Sequence, residues 1–90
     1  MKYLSIYCIF DSASGEYGLP FFAQNEIVAE RQACLSLNSL PLEYWTDFQL
    51  LHLGSFECSS GKIVGFDSPV VYCDGKELVN TFKNLYKENK

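Results

Sequence analysis

Residues 3–10, Tyr3-Leu4-Ser5-Ile6-Tyr7-Cys8-Ile9-Phe10, read as a β-strand with two unlike faces. Alternation sets Leu4, Ile6, Cys8 and Phe10 on one side, wholly apolar, and Tyr3, Ser5, Tyr7 and Ile9 on the other. Such a segment belongs inside a sheet, with its tyrosine face either under a helix or against a partner. The rest of the chain has to supply both neighbours and cover.

Working outward, Asp11-Ser12-Ala13-Ser14-Gly15 are turn-forming residues that stop the strand, and Gly18 and Pro20 break any regular pattern after it. Pro20, Phe21 and Phe22 bring the chain back over the sheet, and Asn25 caps a helix that starts at Glu26 and runs to about Asn38. Glu26 and Glu30 suit the positive end of its dipole. Two apolar stripes mark this helix: Ile27, Val28, Cys34 and Leu35 around Arg31, and Ala29, Ala33 and Leu37. That pattern predicts a helix covered on two sides, by a sheet and by another helix or subunit.

Pro41 ends the helical stretch, because proline disfavours helical geometry in the residue before it. Asp47 to Glu57 and Lys62 to Phe66 then flank Cys58-Ser59-Ser60-Gly61, a β-hairpin with a four-residue loop. Pro69 to Tyr72 adds a short edge strand. Leu78, Val79, Phe82, Leu85 and Tyr86 form one continuous helical stripe opposite Asn80, Lys83, Asn84 and Lys87, and Asp74 with Glu77 makes a capping-box-like start. The elements add up to an α+β fold: a mainly antiparallel sheet of three or four strands with two helices, in the order β-α-β-β-α.

Ninety residues make a single domain that buries about 60–65% of the surface its unfolded chain exposes, so every apolar stripe has to be used. The net charge of −4 opposes bulk electrostatic binding to nucleic acid, which depends on cations displacing counterions from phosphates. Charge is uneven, since residues 74–90 carry Lys76, Lys83, Lys87 and Lys90 against Asp74, Glu77 and Glu88. The four cysteines, Cys8, Cys34, Cys58 and Cys73, are widely spaced and have one histidine beside them, which argues against zinc. No signal-peptide pattern and no 18-residue apolar run occurs, so the chain reads as cytosolic with reduced thiols and no membrane contact.

Motifs for chemistry fail on single residues. Ser60-Gly61-Lys62-Ile63 lacks the glycine, at Phe56, and the hydroxyl residue, at Ile63, of a phosphate-binding loop. Gly15-Glu16-Tyr17-Gly18 has the form of a backbone-clamping RNA loop, but Glu16 would repel the phosphates. His52 is the only imidazole, and alternation places it on one strand face with Phe48, Leu50 and Phe56, as a structural side chain rather than a catalytic base. The carboxylates are scattered, with no acid and base pair. Enzymes, cofactors and metals are therefore not expected, and function falls to the surface. Aromatic residues are 16% of the chain, more than one small core readily hides, and Tyr44 and Trp45, between Pro41 and the hairpin, read as the most exposed.

The order of Ile9-Phe10-Asp11, Pro20-Phe21-Phe22-Ala23-Gln24-Asn25, Arg31, Leu53-Gly54-Ser55-Phe56 and Ser60-Gly61 resembles the small nonstructural proteins of gokushovirus-type microviruses, tailless phages with circular single-stranded DNA genomes. The resemblance covers about two thirds of the chain and leaves out residues 68–90. It implies a role around viral single-stranded DNA synthesis or its coupling to packaging, in the cytoplasm of an infected bacterium. Two modes of action follow. In one, single-stranded DNA is bound by stacking on Tyr7, Tyr44 and Trp45, with Arg31 and Lys62 on phosphates. In the other, an apolar, acidic-rimmed face binds a phage replication or assembly protein or a host factor. The two-sided helix and surplus aromatics also predict a homodimer.

Overall fold

The computed structural model describes residues 2–87, with the side chains of 2–85; the expectations that fall on the side chains of Tyr86 and Lys87, and on Glu88 and Lys90, lie outside the described residues. The chain runs β1 (Tyr3–Asp11), β2 (Glu16–Tyr17), β3 (Phe21–Ala23), α1 (Glu26–Leu37), a 3-10 helix (Leu42–Asp47), β4 (Phe48–Glu57), β5 (Lys62–Asp74) and α2 (Gly75–Lys87). All strand pairs are antiparallel: β1 is flanked by β4 on one edge and by β2 and β3 on the other, and β5 pairs with β4 alone. β2 and β3 act as one strand interrupted at Gly18–Pro20, where the Gly18 N–H donates to the Ile9 carbonyl at 2.7 Å. The α+β architecture is the one the sequence predicts. Both hairpin turns close on a glycine with left-handed backbone, Gly15 and Gly61, each at φ 75°.

Cross-strand partners share a face, so the pairing register sorts every side chain. On one face Ser5 lies beside Ala23, Tyr7 beside Phe21 and His52, and Ile9 beside Leu50, which neighbours Cys73. This is the face under the helices, where Tyr7, Ala23, Leu50 and Cys73 join Ala29, Ala33, Cys34, Leu37, Trp45 and Leu78 in one buried cluster. On the opposite face Leu4 lies beside Phe56, Ile6 beside Phe22 and Gly54, and Cys8 beside Leu51. The wholly apolar side of β1 is thus the side without a helix over it, and the tyrosine side is the covered one. Register breaks at Leu53, between His52 and Gly54, so Phe56 lies on the face opposite His52. Simple alternation had put the two together.

Asn25 caps α1 as its sequence position predicts, its Oδ1 accepting from the Val28 N–H at 3.0 Å. Only one of the two stripes on α1 is fully used: Ala29, Ala33, Cys34 and Leu37 are buried, while Ile27 and Leu35 stand exposed. Alanines on the inner side let α1 lie close to its neighbours, and Ile27 and Leu35 point away from this packed side. α2 begins with the reciprocal pair the sequence predicts, the Glu77 N–H donating to Asp74 Oδ1 and the Asp74 N–H to Glu77 Oε1, both at 2.9 Å. Its stripe is anchored by buried Leu78, with Val79 and Phe82 packed on the core.

Candidate interaction surface

Of the five residues expected to hold single-stranded DNA, the structure takes two out of reach. Trp45 has no exposed surface, because the 3-10 turn that holds it sends adjacent side chains in different directions, Tyr44 outward and Trp45 inward. Its indole N–H is shared between the carbonyls of Leu37 and Leu40, at 3.1 and 3.2 Å, and its ring meets Phe82 edge-on with centroids 5.0 Å apart. Tyr7 is likewise buried, stacked on His52 at 4.8 Å and beside Phe21 at 6.1 Å. The reading of Trp45 as a surface ring is corrected: a large ring with one donor is satisfied here by two helix-end carbonyls, and the core takes it.

Tyr44, Arg31 and Lys62 are exposed, but they stand on three separate elements. Arg31 lines a pocket of about 330 Å³ between α1 and α2 with Ile27, Glu30, Thr81, Asn84 and Leu85. Lys62 pairs across the hairpin with Glu57, which also accepts the Tyr3 hydroxyl at 2.9 Å. Hydrogen bonds from Ser60 and then Tyr3 hold the Glu57 carboxyl below its usual range, so a negative charge sits beside Lys62. Among the described residues these three form no common site.

A different surface stands out on β5. From Lys62 to Tyr72 every residue is exposed, and Ile63, Val64, Phe66, Val70, Val71 and Tyr72 retain between 40% and 61% of their accessible area. Among the described residues the strand also has a free edge, since β4 occupies only one side of it. Four of these groups turn toward the helix side. Val64 pairs with Ser55 and Val70 with His52; Phe66 packs edge-on against His52 at 4.7 Å, and Tyr72 against Tyr7 at 6.4 Å.

The surroundings of this strip are acidic. The Tyr72 hydroxyl, tucked against α1, donates to Glu30 Oε2 at 3.2 Å, and Thr81 donates to the other oxygen at 2.8 Å. Partial burial, then the charge of Glu30 and its hydrogen bond, then Glu26, push the Tyr72 hydroxyl up to about 12. Asp67 adds an exposed carboxylate in the irregular stretch where β5 departs from register with β4. Glu30 and Glu26 thus put negative charge at the Tyr72 end of the strip, and Lys62 opens its other end beside Glu57.

Sequence reasoning divided this strand into two short pieces and did not single out its side chains. The signal was there, since Ile63-Val64 and Val70-Val71-Tyr72 are apolar on both alternating faces while Pro69 confines the strand to an edge. The thiols offer no chemistry on the strip: Cys8, Cys34 and Cys73 are buried and Cys58 lies exposed in the hairpin loop. Burial raises Cys8, and burial with the charge of Glu30 carries Cys34 to about 11 and Cys73 to about 12. Among the described residues no group of His, Cys, Asp and Glu is placed to hold a metal ion, and no helix is long and apolar enough to cross a membrane.

A protein-family model described as phage ORF5 protein matches residues 4–78, from β1 through β5 and into the first turn of α2. No curated protein and no solved structure matches the chain.

Proposed function

The chain belongs to the phage ORF5 protein family, and on that premise we propose that it is a non-enzymatic accessory protein that docks on another protein through β5. The observation that carries this reading is the strip of Val64, Phe66, Val70 and Tyr72, exposed on a strand whose outer edge is unpaired among the described residues, with Glu26 and Glu30 at its Tyr72 end. Contiguous apolar groups at a sheet edge are a liability in a free protein and a ready-made recognition site in a bound one. Main-chain groups along the free edge can add a strand, the rings and branched side chains fill its pockets, and the carboxylates favour an extended segment with basic flanks.

By resemblance the phage is a gokushovirus-type microvirus, and the setting is the cytoplasm of an infected bacterium during single-stranded DNA synthesis or its coupling to packaging. The partner is then a phage replication or assembly protein. Direct binding of single-stranded DNA is the weaker reading, because Tyr7 and Trp45 are buried and the exposed cations Arg31 and Lys62 each have a carboxylate residue beside them, Glu30 and Glu57.

The test is to express each gene product of the phage singly with this chain and to measure which co-purifies, while a labelled single-stranded oligonucleotide is titrated at two salt concentrations. One replication or assembly protein is expected to be retained, to be lost with Val70→Lys and to persist with Tyr44→Ala. Saturable oligonucleotide binding that weakens with salt, or retention unaffected by Val70→Lys, would overturn the proposal.

A further inference from the structure

We propose that the cleft between α1 and α2 binds the C-terminal residue of a partner polypeptide, with its apolar side chain on Ile27 and Leu85 and its carboxylate on Arg31 and Asn84. Among the described residues none of β5 lines this cleft, so its chemistry is separate from that of the docking strip.

The two helices build the cleft from matching spacings. Ile27, Glu30 and Arg31 on α1, and Thr81, Asn84 and Leu85 on α2, each fall at i, i+3 and i+4, which puts three side chains on one side of a helix. The two sides are joined at Glu30, whose oxygens accept from the hydroxyls of Thr81, at 2.8 Å, and of Tyr72, at 3.2 Å. Both oxygens of the acidic group in the cleft are therefore engaged within the protomer. The donors are not: among the described residues no hydrogen bond or ion pair engages the Arg31 guanidinium or the Asn84 amide.

Ile27 is the second observation. Its side chain is 63% exposed at the mouth of the cleft. A β-branched residue is a poorer helix former than alanine, glutamate or lysine, and at this exposure it adds little to the core.

Charge and size choose the occupant. Two unengaged donor groups beside apolar side chains match one carboxylate on an apolar body, because a guanidinium can meet a carboxylate with two parallel hydrogen bonds and the amide offers another donor. A polyanion is disfavoured, since Glu26 and Glu30 stand on the same helix. The volume of about 330 Å³ lies at the lower end of ligand pockets, about 300–1,000 Å³, and suits one or two residues rather than a helix. Position favours a polypeptide over a free fatty acid: Glu30 joins the cleft to the Tyr72 end of the strip, so a chain docked on β5 has the cleft near its end. That choice of source rests on the docking reading; the carboxylate chemistry of the cleft does not.

The test is an amide NMR titration of the isotope-labelled chain. N-acetyl-leucine is the probe, N-acetyl-leucinamide its uncharged counterpart, and octanoate the fatty-acid arm. Saturable shifts in α1 and α2 are expected at millimolar N-acetyl-leucine, with the amide at least about tenfold weaker. Arg31→Gln, at an exposed side chain, should keep the melting temperature and weaken N-acetyl-leucine about tenfold, and Ile27→Ala should weaken it as well. Val70→Lys should leave the titration unchanged while it abolishes retention of the protein partner, so the two readings fail separately. Absence of saturation, equal binding of the amide, or binding indifferent to Arg31→Gln would overturn the site. Tighter binding of octanoate than of N-acetyl-leucine would overturn the polypeptide as its source.

Discussion

Trp45 is the sole tryptophan, and its burial turns into a measurement with an unambiguous reporter. Replacing it with Phe removes the N–H shared by the carbonyls of Leu37 and Leu40, and removes the outer ring that fills the space against Phe82. The Leu37 carbonyl keeps the Leu40 N–H at 2.9 Å, so the Leu40 carbonyl is the one that loses the indole donor, at a cost of about 1–2 kcal/mol. The lost ring volume, about 40 Å³, adds about 1 kcal/mol at roughly 24 cal/mol per Å³ of residual cavity. A total of about 2–3 kcal/mol lowers the melting temperature of a domain this size by about 8–24 °C. Circular dichroism melts of the wild type and Trp45→Phe give this directly. The wild-type emission should also be blue-shifted, resistant to acrylamide, and indifferent to added oligonucleotide until the protein unfolds. A base-stacking tryptophan behaves in the opposite way: its replacement leaves stability unchanged and abolishes quenching by DNA. A cost below about 1 kcal/mol, or saturable quenching of the native protein by an oligonucleotide, would refute the reasoning.

Other consequences follow from close contacts and buried thiols. Gly54→Ala drives a methyl group into the Val64 carbonyl oxygen and to 2.8 Å from Gly65 Cα, so β4 and β5 must separate locally; a loss of about 1–3 kcal/mol in urea unfolding is expected, with faster amide exchange in β5. Native protein should react with a thiol reagent at Cys58 alone, and at all four cysteines once unfolded. Cys34 and Cys73 sit at about 11 and about 12 in the folded state against an ordinary value of 9.0, so the unfolded chain loses these protons first. Stability from this source is complete below pH 9 and is lost as pH rises toward 12. Denaturation midpoints measured from pH 8 upward should fall, and fall less in Cys73→Ala relative to its own value at pH 8.

Local signals carried most of the architecture. The Asn25 cap, the Asp74 and Glu77 pair and the four-residue hairpin loop each depend on a few neighbouring residues, and all form where the sequence places them. What alternation could not supply was the bulge at Leu53, because an extra residue in one strand is decided by its partner across the sheet. That one residue moves Phe56 away from His52 and onto the helix-free face. Trp45 failed for a related reason. Its flanks are polar and follow a proline, which describes the 3-10 helix, while its burial depends on carbonyls at the end of α1 and a ring on α2. For the same reason the stripe of Ile27 and Leu35 could be read from periodicity, but not the exposure of both side chains.

These departures have a common direction, and it bears on function. Both α1 and α2 lie on one face of the sheet, and among the described residues no helix covers the other, where Ile6, Cys8 and Leu51 are nonetheless buried. Trp45, Tyr7 and the inner alanines of α1 fill the side under the helices, and exposed apolar side chains remain on α1, at Ile27 and Leu35, and along β5. A free protein would be expected to place charge at such sites, as natural edge strands do. Here lysine stands only at the start of β5, and the carboxylates Asp67 and Asp74 sit in its irregular stretch and at its end. A strand with one lysine, at its start, and two carboxylates suits the protein partner proposed above better than a polyanion. On the proposed function, Val70→Lys is the variant that decides whether a protein partner takes the β5 strip.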